Sequence, residues 1–154
     1  FNRSLKNRIG MTGAWIDAGD DLRVFTSNAR SMARFGLLAL NKGKWKEQQI
    51  VNEIYFNQMT STSQDINHAY GYLWWLNGKD SFHLPQSQMQ FNGTLILSAP
   101  ADMFMALGKN DQKIYVVPSK KMVIIRMGDA ADGTNFALSD FDEELWQKIN
   151  ALYE

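Results

Sequence analysis

Met103-Phe-Met-Ala-Leu-Gly-Lys-Asn-Asp-Gln-Lys-Ile-Tyr-Val-Val-Pro-Ser-Lys-Lys-Met-Val-Ile-Ile-Arg-Met127 contains three apolar runs separated by two polar breaks. The spacing predicts strands over 103–107, 113–117 and 122–127, because β-branched and aromatic residues fill the runs while Gly and Pro stop them. The breaks are a Gly108-Lys-Asn-Asp111 bend and a Pro118-Ser-Lys-Lys121 turn, short enough to make an antiparallel meander. Ile114–Val117 and Val123–Ile125 are nearly continuous apolar runs, which implies that both faces of the sheet are covered.

Around this meander the chain supplies helices. Ser139 begins the last one: its hydroxyl suits an N-cap, Asp142 can complete a capping box, and Phe141, Leu145, Ile149 and Leu152 form a stripe at helical spacing. A second helix is expected over 29–40, capped by Thr26-Ser-Asn28, with Met32, Phe35, Gly36, Ala39 and Leu40 on its inner face. A third is expected from Ile50 to Gln58, and Phe1–Ile9 reads as a helix tail ended by Gly10–Gly13. Ala14–Asp21 is expected to be a loop, with Asp17, Asp20 and Asp21 in a solvated turn. Tyr70–Leu76 reads as an aromatic strand closed by Asn77-Gly78, Lys79–Gln90 as a long loop, and Phe91–Ser98 as a short edge strand.

Composition narrows the function classes. Sixteen Lys and Arg balance 16 Asp and Glu, so no field of one sign points to nucleic acid or a membrane surface. Cys is absent, which excludes disulfides, thiolate metal sites and a Cys nucleophile. His68 and His83 lie in separate loops without a second ligand at metal spacing and read as surface histidines, so no metal is expected. Trp74 and Trp75 should face opposite sides of their strand. One belongs to the core; the other, with Tyr70 and Tyr72, is placed to line a cleft. The start at Phe1 is read as a fragment or processed product.

Four segments in order resemble one family. Ile9-Gly-Met-Thr-Gly-Ala-Trp15 is similar to its "LGM-x-x-T-x-W" stretch. Ser27-Asn-Ala-Arg-Ser-Met-Ala-Arg-Phe-Gly-Leu-Leu-Ala-Leu-Asn-Lys-Gly-Lys-Trp45 is similar to a helix reading "S-x-x-D-x-A-R-F-G-x-L-x-L-N-x-G-x-W". Tyr70-Gly-Tyr-Leu-Trp-Trp75 resembles "Y-G-Y-x-W-W", and Ala106–Pro118 resembles "A-x-G-x-x-G-Q-x-I-Y-V-V-P". The family is the serine β-lactamase-related hydrolases: class C β-lactamases, D-alanyl-D-alanine peptidases, related esterases and nylon-oligomer amidases.

The resemblance implies an α+β, β-lactamase/transpeptidase-like fold of which this chain is the C-terminal part. Residues 1–66 would be a helical region, 67–138 sheet strands and loops, and 139–154 a helix packed on the sheet. It implies amide or ester hydrolysis through an acyl-enzyme, no cofactor, a small-molecule substrate, and an extracytoplasmic setting. The family's nucleophile lies in Ser-x-x-Lys, with Tyr-x-Asn following, and no Ser-x-x-Lys occurs here. Tyr55-Phe-Asn57 matches the second motif by letters alone, out of family order. A missing N-terminal half is therefore the expected partner, and this chain by itself is expected to be inactive. Ala106-Leu107-Gly108 occupies the place of the family's Lys/His-Thr/Ser-Gly. Lys109 follows, where a backbone N–H would serve an oxyanion hole, and Asp111 stands where Gly is usual. Tyr70, Tyr72 and Trp74 complete the expected substrate-side residues. The alternative is a non-catalytic module of the same fold that binds a glycan or peptide of the cell envelope.

Overall fold

The computed structural model describes residues 1–85, 87–131 and 137–153. A single π-type turn, Asn2–Lys6, opens the chain. The predicted loop at 14–21 is instead the first half of a hairpin, β1 (Ala14–Asp17) and β2 (Arg23–Thr26), with Trp15 opposite Phe25 and Ile16 opposite Val24. The turn succeeds because Gly19, Asp20 and Asp21 all take positive φ, while Asp17 accepts the Gly19 N–H at 3.0 Å. Phe1 meets Trp15 and Phe25 edge-on at 5.7 and 5.0 Å between ring centres, and Trp15 is tilted against Phe25 at 5.3 Å.

Helix α1 (Ala29–Leu40) starts at Asn28, whose side chain accepts the Ser31 N–H at 2.9 Å. Two short strands, β3 (Lys44–Trp45) and β4 (Gln48–Gln49), pair before α2 (Glu53–Met59). This helix begins three residues later than expected because Asn52 caps it, accepting the N–H groups of Ile54 and Tyr55.

Tyr70–Leu76 is not one strand. The chain reverses at Gly71–Leu73, bridging Tyr70 to Trp75, and only β5 (Trp75–Leu76) joins the sheet. Leu73 has φ 62°, and a Cβ at Gly71 would stand 2.2 Å from the Met59 carbonyl oxygen, so the reversal depends on glycine. The expected loop 79–90 and edge strand 91–98 resolve into a hairpin, β6 (Ser81–His83) with β7 (Gln90–Asn92), closed by Phe82 stacked on Phe91. Residues 94–100 are held instead by the buried Asn77 carboxamide, which donates to the carbonyls of Ile96, Ala99 and Pro100.

The meander forms as β8 (Phe104–Gly108), β9 (Gln112–Val117) and β10 (Met122–Arg126), giving an antiparallel order β10-β9-β8-β5. Alternation then sorts the side chains. Phe104, Ala106, Ile114, Val116, Val123 and Ile125 pack with Ala39 of α1, Phe56 of α2 and Trp74. Met105, Leu107, Tyr115, Val117, Met122 and Ile124 pack with Trp146 of α3 (Asp140–Asn150). A helix on each side removes both faces from water, which is why the strands lack polar alternation. Gly36 lets α1 lie close: a Cβ there would meet Val123 Cγ1 at 2.5 Å. The molecule is α+β. Trp15, Ile16, Leu22 and Val24 on the first hairpin remain exposed, as do Leu73 and Leu97. Among the described residues no helix is long and apolar enough to cross a membrane.

Candidate functional site

Strand β8 carries the candidate site. Its pairing with β5 stops at Trp75 opposite Met105, so Ala106–Gly108 has no strand beside it on that edge among the described residues. On the other edge β9 pairs along its whole length, Gly108 opposite Gln112. An edge fixed on one side and open on the other leaves backbone donors and acceptors available to an extended ligand. Beside it lies a cavity of about 270 Å³, with Ala106, Leu107 and Gly108 along one wall and Phe25, Met32, Leu73 and Met127 supplying apolar surface.

Beyond Gly108, itself extended at φ −113°, the chain enters a tight turn, Lys109–Asp111. Asn110 and Asp111 have φ 57° and 56°. Asp111 thus adopts the left-handed conformation that glycine takes without strain. It does so with its carboxylate anchored: the Ala131 N–H donates to it at 2.9 Å, the Ser139 hydroxyl at 3.0 Å, and Lys113 Nζ lies at 3.0 Å. Arg126 holds the same turn from outside, donating to the carbonyls of Asn110 and Asp111 at 3.0 and 3.3 Å and to that of Asp129, with its guanidinium over the Phe141 ring. Those bonds commit the nearest cation to the turn. Ala106 adds no charge, so a ligand in this cavity meets apolar surface and backbone rather than a carboxylate anchor.

The turn is underpinned by buried charges that the sequence reading missed. Lys113 is 1% exposed, and its ammonium bridges Asp111 and Asp142 (2.8 Å) while donating to the Ala137 carbonyl at 2.5 Å. Asp142 also accepts from the Tyr115 hydroxyl at 2.5 Å and the Ser139 N–H at 3.0 Å. Burial pushes Asp111 towards its neutral form, but the Ala131 N–H and Lys113 outweigh it and hold the carboxyl below its usual value. Burial, then the Asp142 charge, pushes the Tyr115 hydroxyl far above the ordinary tyrosine range. A signal was present in the sequence: Lys113 shares strand phase with Tyr115 and Val117, and a lysine on an inward face demands a buried partner.

The remaining expected residues lie apart. Trp74 is 4% exposed and packs between Phe35 and Phe104, so it belongs to the core and faces no ligand. Trp75 is the tryptophan on the accessible side, its ring edge-on to Tyr70 at 4.8 Å in a second cavity. Tyr72 lies beside Tyr55 in a different groove, because the reversal at Gly71–Leu73 separates it from Tyr70. His68 pairs with Asp80 at 3.0 Å, a hydrogen bond that holds the Asp80 carboxyl below its usual value. No group of three metal-binding side chains occurs among the described residues.

No family model and no curated protein matches the chain. Among solved structures it is similar to a putative 6-aminohexanoate-dimer hydrolase from Bacillus anthracis, at 20% identity and a TM-score of 0.62. The alignment covers 97% of this chain and 37% of that one, so the chain spans little over a third of its neighbour's length. A likeness at this identity concerns the fold.

Proposed function

We propose that this chain supplies the substrate-side strand of a serine hydrolase that cleaves an amide or ester through an acyl-enzyme. The observation that carries the proposal is the half-open β8 edge at Ala106–Gly108, running beside a small apolar cavity into the clamped Lys109 turn. In this role the Lys109 N–H is one oxyanion donor, and the second is the N–H of a serine on another polypeptide segment. That segment carries Ser-x-x-Lys and the following Tyr-x-Asn, whose Lys and Tyr handle the proton. Its docking covers apolar side chains that this chain leaves exposed, such as Leu73. The neighbour's named substrate, the 6-aminohexanoate dimer, joins two methylene chains through an amide, and those apolar chains suit the apolar wall of the cavity.

Intact mass after treatment with a fluorophosphonate tests this. The 17.6 kDa chain alone should take no adduct, and an equimolar mixture with a Ser-x-x-Lys polypeptide of this fold should take one, on that partner's serine. An adduct on this chain alone, or an inert mixture that nonetheless forms a folded complex, would overturn the proposal.

A further inference from the structure

The second cavity, of about 460 Å³, shares no described lining residue with the one at Ala106–Gly108. We infer that it is a binding site for a neutral, hydroxyl-rich ligand of the oligosaccharide class, built on Tyr70 and Trp75. The inference stands independently of the hydrolase proposal.

Three features lead to it. First, the aromatic wall is fixed in place: Tyr70 and Trp75 are bridged through the backbone, their rings meet at 71°, and Trp75 is paired to Met105 of β8. Rigid aromatic surface binds without ordering flexible side chains. Second, the opposite wall is tied to it. Asn67 donates to the His83 carbonyl and accepts the His83 N–H, both at 3.3 Å, and accepts the Ala69 N–H at 3.2 Å. Third, the rim carries the exposed amides of Gln64 and Gln88 and the His83 ring, which make no side-chain hydrogen bond to another described residue. Among the described residues of the lining there is no Lys, Arg, Asp or Glu.

These features discriminate between ligand chemistries. A charged ligand would lose hydration with no counter-charge to receive it. A purely apolar one would gain nothing from the rim amides and imidazole. A sugar ring offers an apolar C–H face to Tyr70 and Trp75 and hydroxyls that both donate to and accept from carboxamides. The volume falls within the roughly 300–1,000 Å³ of small-molecule sites.

The test is a titration of the whole chain with tri-N-acetylchitotriose, cellotriose and maltotriose, followed by the indole N–H resonance of Trp75, assigned through Trp75→Phe. At least one trisaccharide should shift that resonance saturably. Gln64→Ala and Gln88→Ala lie on exposed positions, so the fold should persist while each weakens binding about fivefold, the worth of one net hydrogen bond. The inference fails if no trisaccharide moves the resonance, if both glutamine variants bind as tightly as the parent, or if N-acetyl-trialanine amide binds as well as the best sugar.

Discussion

The two faces of the central sheet are closed by different means. Against α1 and α2 the contacts are wholly apolar, with Gly36 set against Val123 and Trp74 between Phe35 and Phe104. Against α3 the packing of Trp146 on Tyr115 continues into Asp111, Lys113 and Asp142, all fully buried. The apolar face can trade one side chain for another of like volume. The ionic face cannot, because removing Lys113 leaves two buried carboxylates without their cation. What that rigidity secures is local: the network grips Asp111 in its left-handed conformation, two residues from Lys109 and at the end of the open strand edge.

Breaking the ionic face should cost most. Lys113→Met leaves two buried carboxylates without their cation and should lower stability by about 3–5 kcal/mol in urea denaturation. Acid should then act in opposite directions on the two proteins. In the parent, the depressed Asp111 carboxyl gives stability that is present above its ordinary value of 3.8 and lost as pH falls through the lower folded value. In Lys113→Met the carboxylates repel one another, so protonating them over the acid range should recover stability. Equal acid slopes would mean that the network is not charged as described.

The apolar face should break more gently, and through volume. Gly36→Ala forces a Cβ against Val123 and should lose about 1–3 kcal/mol, with Gly36→Ala/Val123→Ala losing less than the sum of the single changes. At the edge of that face, Asn28→Ala removes the α1 cap and should lower stability by about 1 kcal/mol. Smallest of all, His68→Ala removes an exposed pair with Asp80 and should leave the denaturation midpoint unchanged.

The same contrast marks what could be read from the residues. The meander and its two-sided burial were legible because strand period and continuous apolar runs are local properties, visible in Ile114–Val117 and Val123–Ile125. Helix α1 was legible from its cap and its 3.6-residue stripe. Ala106–Lys109 was singled out as a candidate segment through the family resemblance, but nothing local specified the cavity beside it, which also needs Phe25 from the first hairpin and Leu73 from the Gly71 reversal. That reversal was hidden by aromatic residues with strong strand propensity and depends on the Met59 carbonyl, eleven residues upstream of Tyr70 and twelve of Gly71. The choice between Trp74 and Trp75 turned on it. The buried charges were the largest omission: Asp142 looked like an ordinary capping residue on a solvated helix start, and its contact with Lys113 spans 29 positions.

The functional account rests most directly on the Lys109 backbone N–H, and one substitution isolates that atom. Lys109 opens a 3-10 turn after the extended Gly108 (φ −113°, ψ 164°), a geometry compatible with proline, and its side chain is exposed. In the proposed assembly with a Ser-x-x-Lys partner, ester turnover by Lys109→Pro should fall about 10²–10³-fold in kcat with little change in KM, while Lys109→Gln keeps the parent rate. Parent-like kcat in a folded Lys109→Pro assembly would show that this N–H does not face the reacting carbonyl, and would contradict the assignment of β8 as the catalytic strand.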